Sequence, residues 1–347
     1  MARTTHKKQK PSFLGMNNIT ALLGVLVIIV AIIVFIFIAR QNANTSGLLT
    51  SKGGTQIVTT RIAQAQRTYR VYAPQDYSSE KSYPLVFVFH GGGGNGKHME
   101  EVSRFSELAE REKFIVIYPD GVKQETGWLK NNDLGRTWNA VHCCGFAYSS
   151  NSDDISFVTQ ILTEVSKTFT VDTEKVYATG FSNGGMFAYR LVTETNNLFA
   201  KVAVVGGAIG GRESSQAEQK VIERPSEPIS VLIIHGVLDK HVKYLGGESE
   251  GVDRGRTDIS VADTTQFWRL ANGCNADPAT ENRGNSTTKV TYSNCVNNTA
   301  LVIYSLKAQG HAWPGSQETN SYLLGITDRP SKDIDATQVI WEFFKTE

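Results

Sequence analysis

Apolar positions fall into distinct patterns along the chain. One is an unbroken run from Ile19 to Ala39, 21 residues without a charge and with only Thr20 as a polar member. Shorter continuous runs follow at Pro84 to Phe89, Phe114 to Tyr118, Val176 to Ala178, Lys201 to Gly207, Ser230 to Gly236 and Ala300 to Leu306. Runs of this length, rich in Val, Ile and Phe, predict strands buried on both faces. Between them apolar residues recur at helical spacing: Phe105, Leu108 and Ala109; Phe157, Ile161 and Val165; Met186, Tyr189 and Val192. Further helices are predicted over Asp263 to Ala271 and Asp335 to Phe344, and Ser152-Asp153-Asp154 supplies a cap for the helix through Phe157. Two β-like stretches, Gln56 to Ile62 and Arg67 to Ala73, precede this series. Strands alternating with helices predict an α/β fold with a doubly wound, mostly parallel sheet.

The first run is of another kind. At about 1.5 Å per helical residue it spans a hydrocarbon core of about 30 Å. It follows a basic start, with Arg3, Lys7, Lys8 and Lys10 and no acid. Secretory signals carry shorter apolar regions and end in small residues, whereas Ala39-Arg40-Gln41 makes a poor cleavage site. Residues 19–39 therefore read as a transmembrane signal-anchor, with a cleaved signal as the alternative. The flanking charges put residues 1–18 in the cytoplasm and the body outside. Residues 40–54, rich in Asn, Ser and Gly, form a flexible linker, and 55–347 the catalytic domain.

Charge and cysteine content narrow the partners. The formal net charge is +1, but beyond residue 40 there are 30 basic against 34 acidic side chains, a net of −4. A mildly acidic body without a basic cluster argues against nucleic acid as a partner. Four cysteines fit an oxidising compartment and allow three full pairings. A Cys274–Cys295 bridge would staple a polar loop rich in Asn, Thr and Ser. Cys143 and Cys144 either bond to each other or pair elsewhere. No Cys-x-x-Cys spacing or His cluster points to a metal, and no cofactor is implied.

The chemistry centres on Gly180-Phe-Ser-Asn-Gly184, between an apolar run and a helical pattern. That context predicts a turn so tight that its flanking residues must be nearly free of side chain, with Ser182 raised above the sheet. Asp239 follows the strand ending at Gly236, and His311 follows the last strand. Asp253 and Asp258 compete less well for the acid because neither directly follows a strand. His90 and His235, each before a glycine, read as backbone-settling residues. The order Ser182, Asp239, His311 is that of α/β-hydrolases. His311 would take the serine proton, and Asp239 would hold the imidazole tautomer. Asn183 and Gly92, from the glycine loop after His90, are the expected N–H donors to a developing oxyanion. The long irregular segment 121–152 reads as a binding loop, and Gly210 to Pro228 as a polar, exposed one. Trp138 and Trp313 read either as packing or as a stacking surface for an aromatic or sugar group, and stand as candidate substrate contacts.

Several motifs together resemble one family. In order they are His90-Gly-Gly-Gly-Gly-Asn95, Thr137-Trp-Asn with Cys143-Cys-Gly145, Asp153-Asp154, Gly180-Phe-Ser-Asn-Gly184 and His235-Gly-x-x-Asp239. Tyr244-x-Gly-Gly247, Trp268 with Asn272-Gly-Cys274, and Gly310-His-x-Trp-Pro-Gly315 complete the set. Over residues 55 to 347 the chain is similar to the polyhydroxybutyrate depolymerase/feruloyl esterase family of secreted α/β-hydrolases. The resemblance implies a triad of Ser182, Asp239 and His311 and cleavage of feruloyl, acetyl or hydroxyalkanoate esters. It departs at Val242-Lys243-Tyr244, where the family usually has a proline before the tyrosine. A serine peptidase of the same fold and a catalytically inactive surface-binding protein are the competing readings.

Overall fold

The computed structural model describes residues 49–62, 65–124, 135–195, 197–251, 254–275, 277–317 and 327–346. The expected cytoplasmic segment, the transmembrane run, most of the linker and Trp128 lie outside these residues. Among the described residues no helix is long and apolar enough to cross a membrane.

The strands, in chain order, are β1 (Gly54–Ile62), β2 (Ala65–Ala73), β3 (Tyr83–Phe89), β4 (Ile115–Pro119), β5 (Val171–Phe181), β6 (Lys201–Val205) and β7 (Gly210–Arg212). There follow β8 (Lys220–Val221), β9 (Ser230–Gly236), β10 (Gly247–Glu248), β11 (Thr257–Asp258), β12 (Ala279–Arg283), β13 (Thr287–Tyr292) and β14 (Leu301–Leu306). The helices are α1 (Gly96–Ser103), α2 (Phe105–Glu112), α3 (Gly145–Ser149), α4 (Asp154–Thr168), α5 (Asn183–Glu194), α6 (Val261–Ala271) and α7 (Ala336–Lys345).

Ten strands form one sheet in the order β1-β2-β4-β3-β5-β6-β9-β14-β13-β12. The run from β4 to β14 is parallel, and two antiparallel strands flank it at each end. The sheet is therefore mixed, with the expected parallel array at its centre. The polar stretch between Cys274 and Cys295 is not a loop. It folds into the β12–β13 hairpin and extends the sheet beyond β14, which is the last strand in the chain, as expected, but not the edge of the sheet. β12 is exposed at every position and β13 is half-buried beyond Thr287, so neither carries a continuous apolar run; a sheet edge needs less burial than a centre. The Cys274–Cys295 disulfide closes its base. A small second sheet, β10-β11-β7-β8, gathers part of the segment expected to be an exposed loop.

Helices cover both faces of the large sheet, as its double winding requires. Along β3, Leu85, Phe87 and Phe89 face a core completed by α4 and α5, while Val86 and Val88 face α1, α2 and α7. Side chains alternate between these cores because successive Cβ atoms point to opposite faces. Complete burial of Phe87 or Phe89 contributes about 1.5–3 kcal/mol each. This rigid centre delivers the carboxyl ends of β3, β5, β9 and β14 to one edge.

Candidate active site

The turn from β5 into α5 holds Ser182 at φ 53°, ψ −125°, a conformation that a residue with a side chain adopts only under strain. Surrounding contacts impose it. A Cβ on Gly180 would stand 2.5 Å from the Gly184 carbonyl oxygen, so that approach requires glycine. Ser182 N–H donates to Val205 O at 2.9 Å, tying the turn to β6.

Ser182 Oγ lies 2.9 Å from His311 Nε2, and His311 Nδ1 lies 2.7 Å from Asp239 Oδ2. Three segments far apart in sequence thus meet in one hydrogen-bonded line. The remaining oxygen of Asp239 accepts the N–H groups of His241 (2.8 Å) and Val242 (2.9 Å), which fixes the carboxylate. Burial opposes its ionisation. The neighbouring His311 charge, and hydrogen bonds from His235 and His311, outweigh that and hold the carboxyl well below its ordinary range. An ionised Asp239 keeps the proton on His311 Nδ1, leaving the Nε2 lone pair for the serine hydroxyl. The imidazole lies between Phe181 and His241, with ring centroids 4.7 and 4.8 Å away. Its backbone N–H donates to Asp328 Oδ2 at 2.6 Å.

Gly92 and Asn183 face each other beside Ser182: a Cβ on Gly92 would lie 3.8 Å from that of Asn183. The Asn183 side chain points away from the cavity. Its Oδ1 accepts Trp138 N–H at 2.8 Å and its Nδ2 donates to Trp138 O at 2.9 Å. The backbone N–H at the start of α5 is left for the cavity. His90 settles the glycine loop as expected, with Nδ1 2.7 Å from Gly91 O and Nε2 accepting Gly121 N–H at 2.9 Å. Burial lowers its pKa to about 3, so the ring is neutral and this tautomer is the one present.

Neither tryptophan offers a substrate surface. Trp138 is 0% exposed, stacks on Phe187 at 5.1 Å and donates from Nε1 to His90 O at 3.0 Å. It braces the glycine loop against the elbow from beneath. Trp313 is 2% exposed, and its Nε1 donates to Thr337 Oγ1 at 3.0 Å on the α7 side. In both cases the flat ring fills core volume and its N–H finds a partner indoors. His235 also serves the backbone, with Nε2 2.7 Å from Val242 O. Asp153 caps α4 by accepting Ser156 N–H at 3.0 Å. Asp154 is buried against Arg67 at 2.9 Å and accepts Asn139 N–H, so it shapes the 137–145 loop.

A cavity of about 280 Å³ opens over Ser182. Beside Cys144, its wall includes three residues that the sequence did not single out: His241, Ser249 and Arg256. Cys143 and Cys144 are bonded to each other. Asp258, a rival for the acid, pairs with Arg256 at 3.0 Å and His142 at 3.0 Å, and Asp253 lies outside the described residues. The segment 240–258 is rich in Gly, Lys and Glu and has no periodicity, so nothing in it marks three of its side chains as cavity lining.

Comparison with known proteins gives a consistent result. The chain is 31% identical over 294 residues to NocK of Nocardia uniformis subsp. tsuyamanensis, covering 79% of this chain and 78% of that one. It is 24% identical over 244 residues to feruloyl esterase B of Piromyces equi, covering 69% of this chain; it spans about two fifths (41%) of that relative's length. The fold resembles an acetyl xylan esterase from Aspergillus awamori, with TM-score 0.53 and 17% identity over 79% of this chain and 100% of that one. Residues 67–290 match the family described as Esterase PHB depolymerase, and this chain belongs to it.

Proposed function

We propose that the chain is a serine carboxylic-ester hydrolase working through an acyl-enzyme. The observation that carries this reading is the line from Ser182 Oγ to His311 Nε2 (2.9 Å) and from His311 Nδ1 to Asp239 Oδ2 (2.7 Å). In this mechanism His311 accepts the hydroxyl proton as Oγ attacks the ester carbonyl. The N–H groups of Asn183 and Gly92 receive the oxyanion, each worth about 3 kcal/mol in the transition state. His311 then protonates the departing alcohol. Water, deprotonated by the same imidazole, releases the acid and restores Ser182. Feruloyl, acetyl and hydroxyalkanoate esters are the proposed substrate class, which the name of the Piromyces equi relative supports for feruloyl groups.

The enzyme is further proposed to work outside the cytoplasm on a membrane tether. The uncharged run Ile19 to Ala39 after a basic start supports the tether. Two disulfides support an oxidising compartment.

A fluorophosphonate probe tests the chemistry. It should label the wild type and not Ser182→Ala; an unlabelled wild type would end the enzyme reading. Methyl ferulate, p-nitrophenyl acetate and hydroxybutyrate oligomers then rank the acyl groups, and faster turnover of peptide anilides would favour a peptidase instead. Protease added to intact cells should degrade the catalytic domain, whereas a protected domain contradicts the outward tether.

A further inference from the structure

His235 lies near the carboxyl end of β9, and Asp239 follows just beyond that strand. The side chain of His235 is buried and takes no part in the wall of the cavity over Ser182. Its ring packs edge-on against Tyr244, with centroids 5.9 Å apart, and the Tyr244 hydroxyl is hydrogen-bonded to Ser305 Oγ at 2.7 Å. Ser305 stands opposite His235 in the parallel β9–β14 pair, so the seat of the ring is part of the sheet. His235 Nε2 is 2.7 Å from Val242 O. A carbonyl only accepts, so the proton is on Nε2 and His235 is the donor. Its other nitrogen, Nδ1, is buried with no hydrogen-bond partner among the described residues, and an N–H there would go unpaired.

Val242 in turn donates its own N–H to Asp239 Oδ1 at 2.9 Å, beside the N–H of His241 at 2.8 Å. The circuit closes on the same carboxylate. His235 Nε2 stands 3.5 Å from Asp239 Oδ2, the oxygen that faces His311 Nδ1 at 2.7 Å. An approach of 3.5 Å is weak, and the short bond goes to Val242 O. His235 therefore reaches the acid mainly through the 239–242 turn. Val242 is 1% exposed, so without this N–H its carbonyl would sit unpaired away from water. Relief of that cost moves the turn, and with it the two N–H groups that aim the carboxylate.

We infer that His235 is a positioning residue of the catalytic acid: by holding the Val242 carbonyl it sets the turn that presents Asp239 to His311. This inference rests on the reading of Ser182, His311 and Asp239 as a working triad. His235 reaches neither the cavity nor the attacking hydroxyl, so its effect belongs in kcat rather than in KM. That effect vanishes where there is no carboxylate to aim.

Turnover of p-nitrophenyl acetate tests it with two substitutions and two backgrounds. His235→Gln puts an amide N–H where Nε2–H stood, whereas His235→Met fills the same space without a donor. The methionine variant should lose about 100-fold in kcat, the effect of a misplacement of about 1 Å, with KM within about twofold. The glutamine variant should stay within about threefold of the wild type, because the donor is restored. In an Asp239→Ala background His235→Met should change kcat by less than about twofold, since residues acting as one unit are not additive. If a urea melt shows the methionine variant unfolded, His235→Asn, whose amide ends short of Val242 O, replaces it in both backgrounds. A methionine variant as active as the wild type overturns the positioning role. So does a glutamine variant no better than methionine, or an equal loss in both backgrounds; each of these leaves the triad reading standing. An inactive wild type, or Asp239→Ala as active as the wild type, overturns the triad reading and this inference with it.

Discussion

Gly184 lies so close to the carbonyl oxygen of His90 that a Cβ built on it would stand 2.3 Å from that oxygen. The nucleophile turn and the glycine loop are joined here main chain to main chain. Neither can shift without the other, so the two proposed oxyanion donors keep a set separation. This contact also helps hold Ser182 in its strained backbone conformation.

Gly184→Ala must therefore push the two segments apart. Overpacking of this kind costs about 1–3 kcal/mol of stability. Displacing donor or nucleophile by about 1 Å lowers kcat by about 100-fold. Urea unfolding and turnover of p-nitrophenyl acetate measure both, and wild-type values for both contradict the contact.

Asp239→Asn should keep the fold, since its Oδ1 can still accept the N–H groups of His241 and Val242. Its amide N–H₂ would instead turn toward His311 Nδ1 and impose the wrong tautomer. The expected fall in kcat is about 10⁴-fold. A fall of less than tenfold would mean that the imidazole is oriented by something else.

Burial keeps His90 neutral down to about pH 3, from an ordinary value of 6.5. Unfolded, the ring takes up a proton below about pH 6.5, so between these values the unfolded chain binds more protons than the native one. Its contribution to stability is complete above pH 6.5 and is lost as pH falls toward 3. The slope approaches about 1.4 kcal/mol per pH unit. His98 and His241, also lowered first by burial, add to the slope. The urea midpoint should drop between pH 7 and pH 5, and less so in His90→Gln. An equal midpoint at both pH values would refute the neutral, buried ring.

The Arg67–Asp154 pair is 5% and 0% exposed, and Asp154 also accepts Asn139 N–H beside the cysteine loop. Removing one partner leaves a buried, uncompensated charge. Asp154→Ala should cost about 3–5 kcal/mol, and the double variant Arg67→Met/Asp154→Leu should recover much of that. Thermal or urea melts decide; a loss below about 1 kcal/mol for Asp154→Ala means that water reaches Arg67.

Much of this molecule is written locally. Each central strand buries both faces, so Leu85 to Phe89 and Val231 to Ile234 must read as continuous apolar runs, and they do. The elbow needs glycine at both flanks, which leaves its mark in five consecutive letters. The order of Ser182, Asp239 and His311 follows from strands that end at one edge. What tertiary structure alone decided is which polar or aromatic side chains face the cavity. Trp138 and Trp313 went indoors because their rings fill core volume and their N–H groups find buried acceptors. The 279–292 hairpin formed because β14 offered an open edge, a property of a neighbour that lies later in the chain. His241, Ser249 and Arg256 gained their places through contacts with His311, Gly251 and Asp258. Stacking, close approach and ion pairing across the fold impose no spacing on the sequence, so they become visible only when the chain is folded.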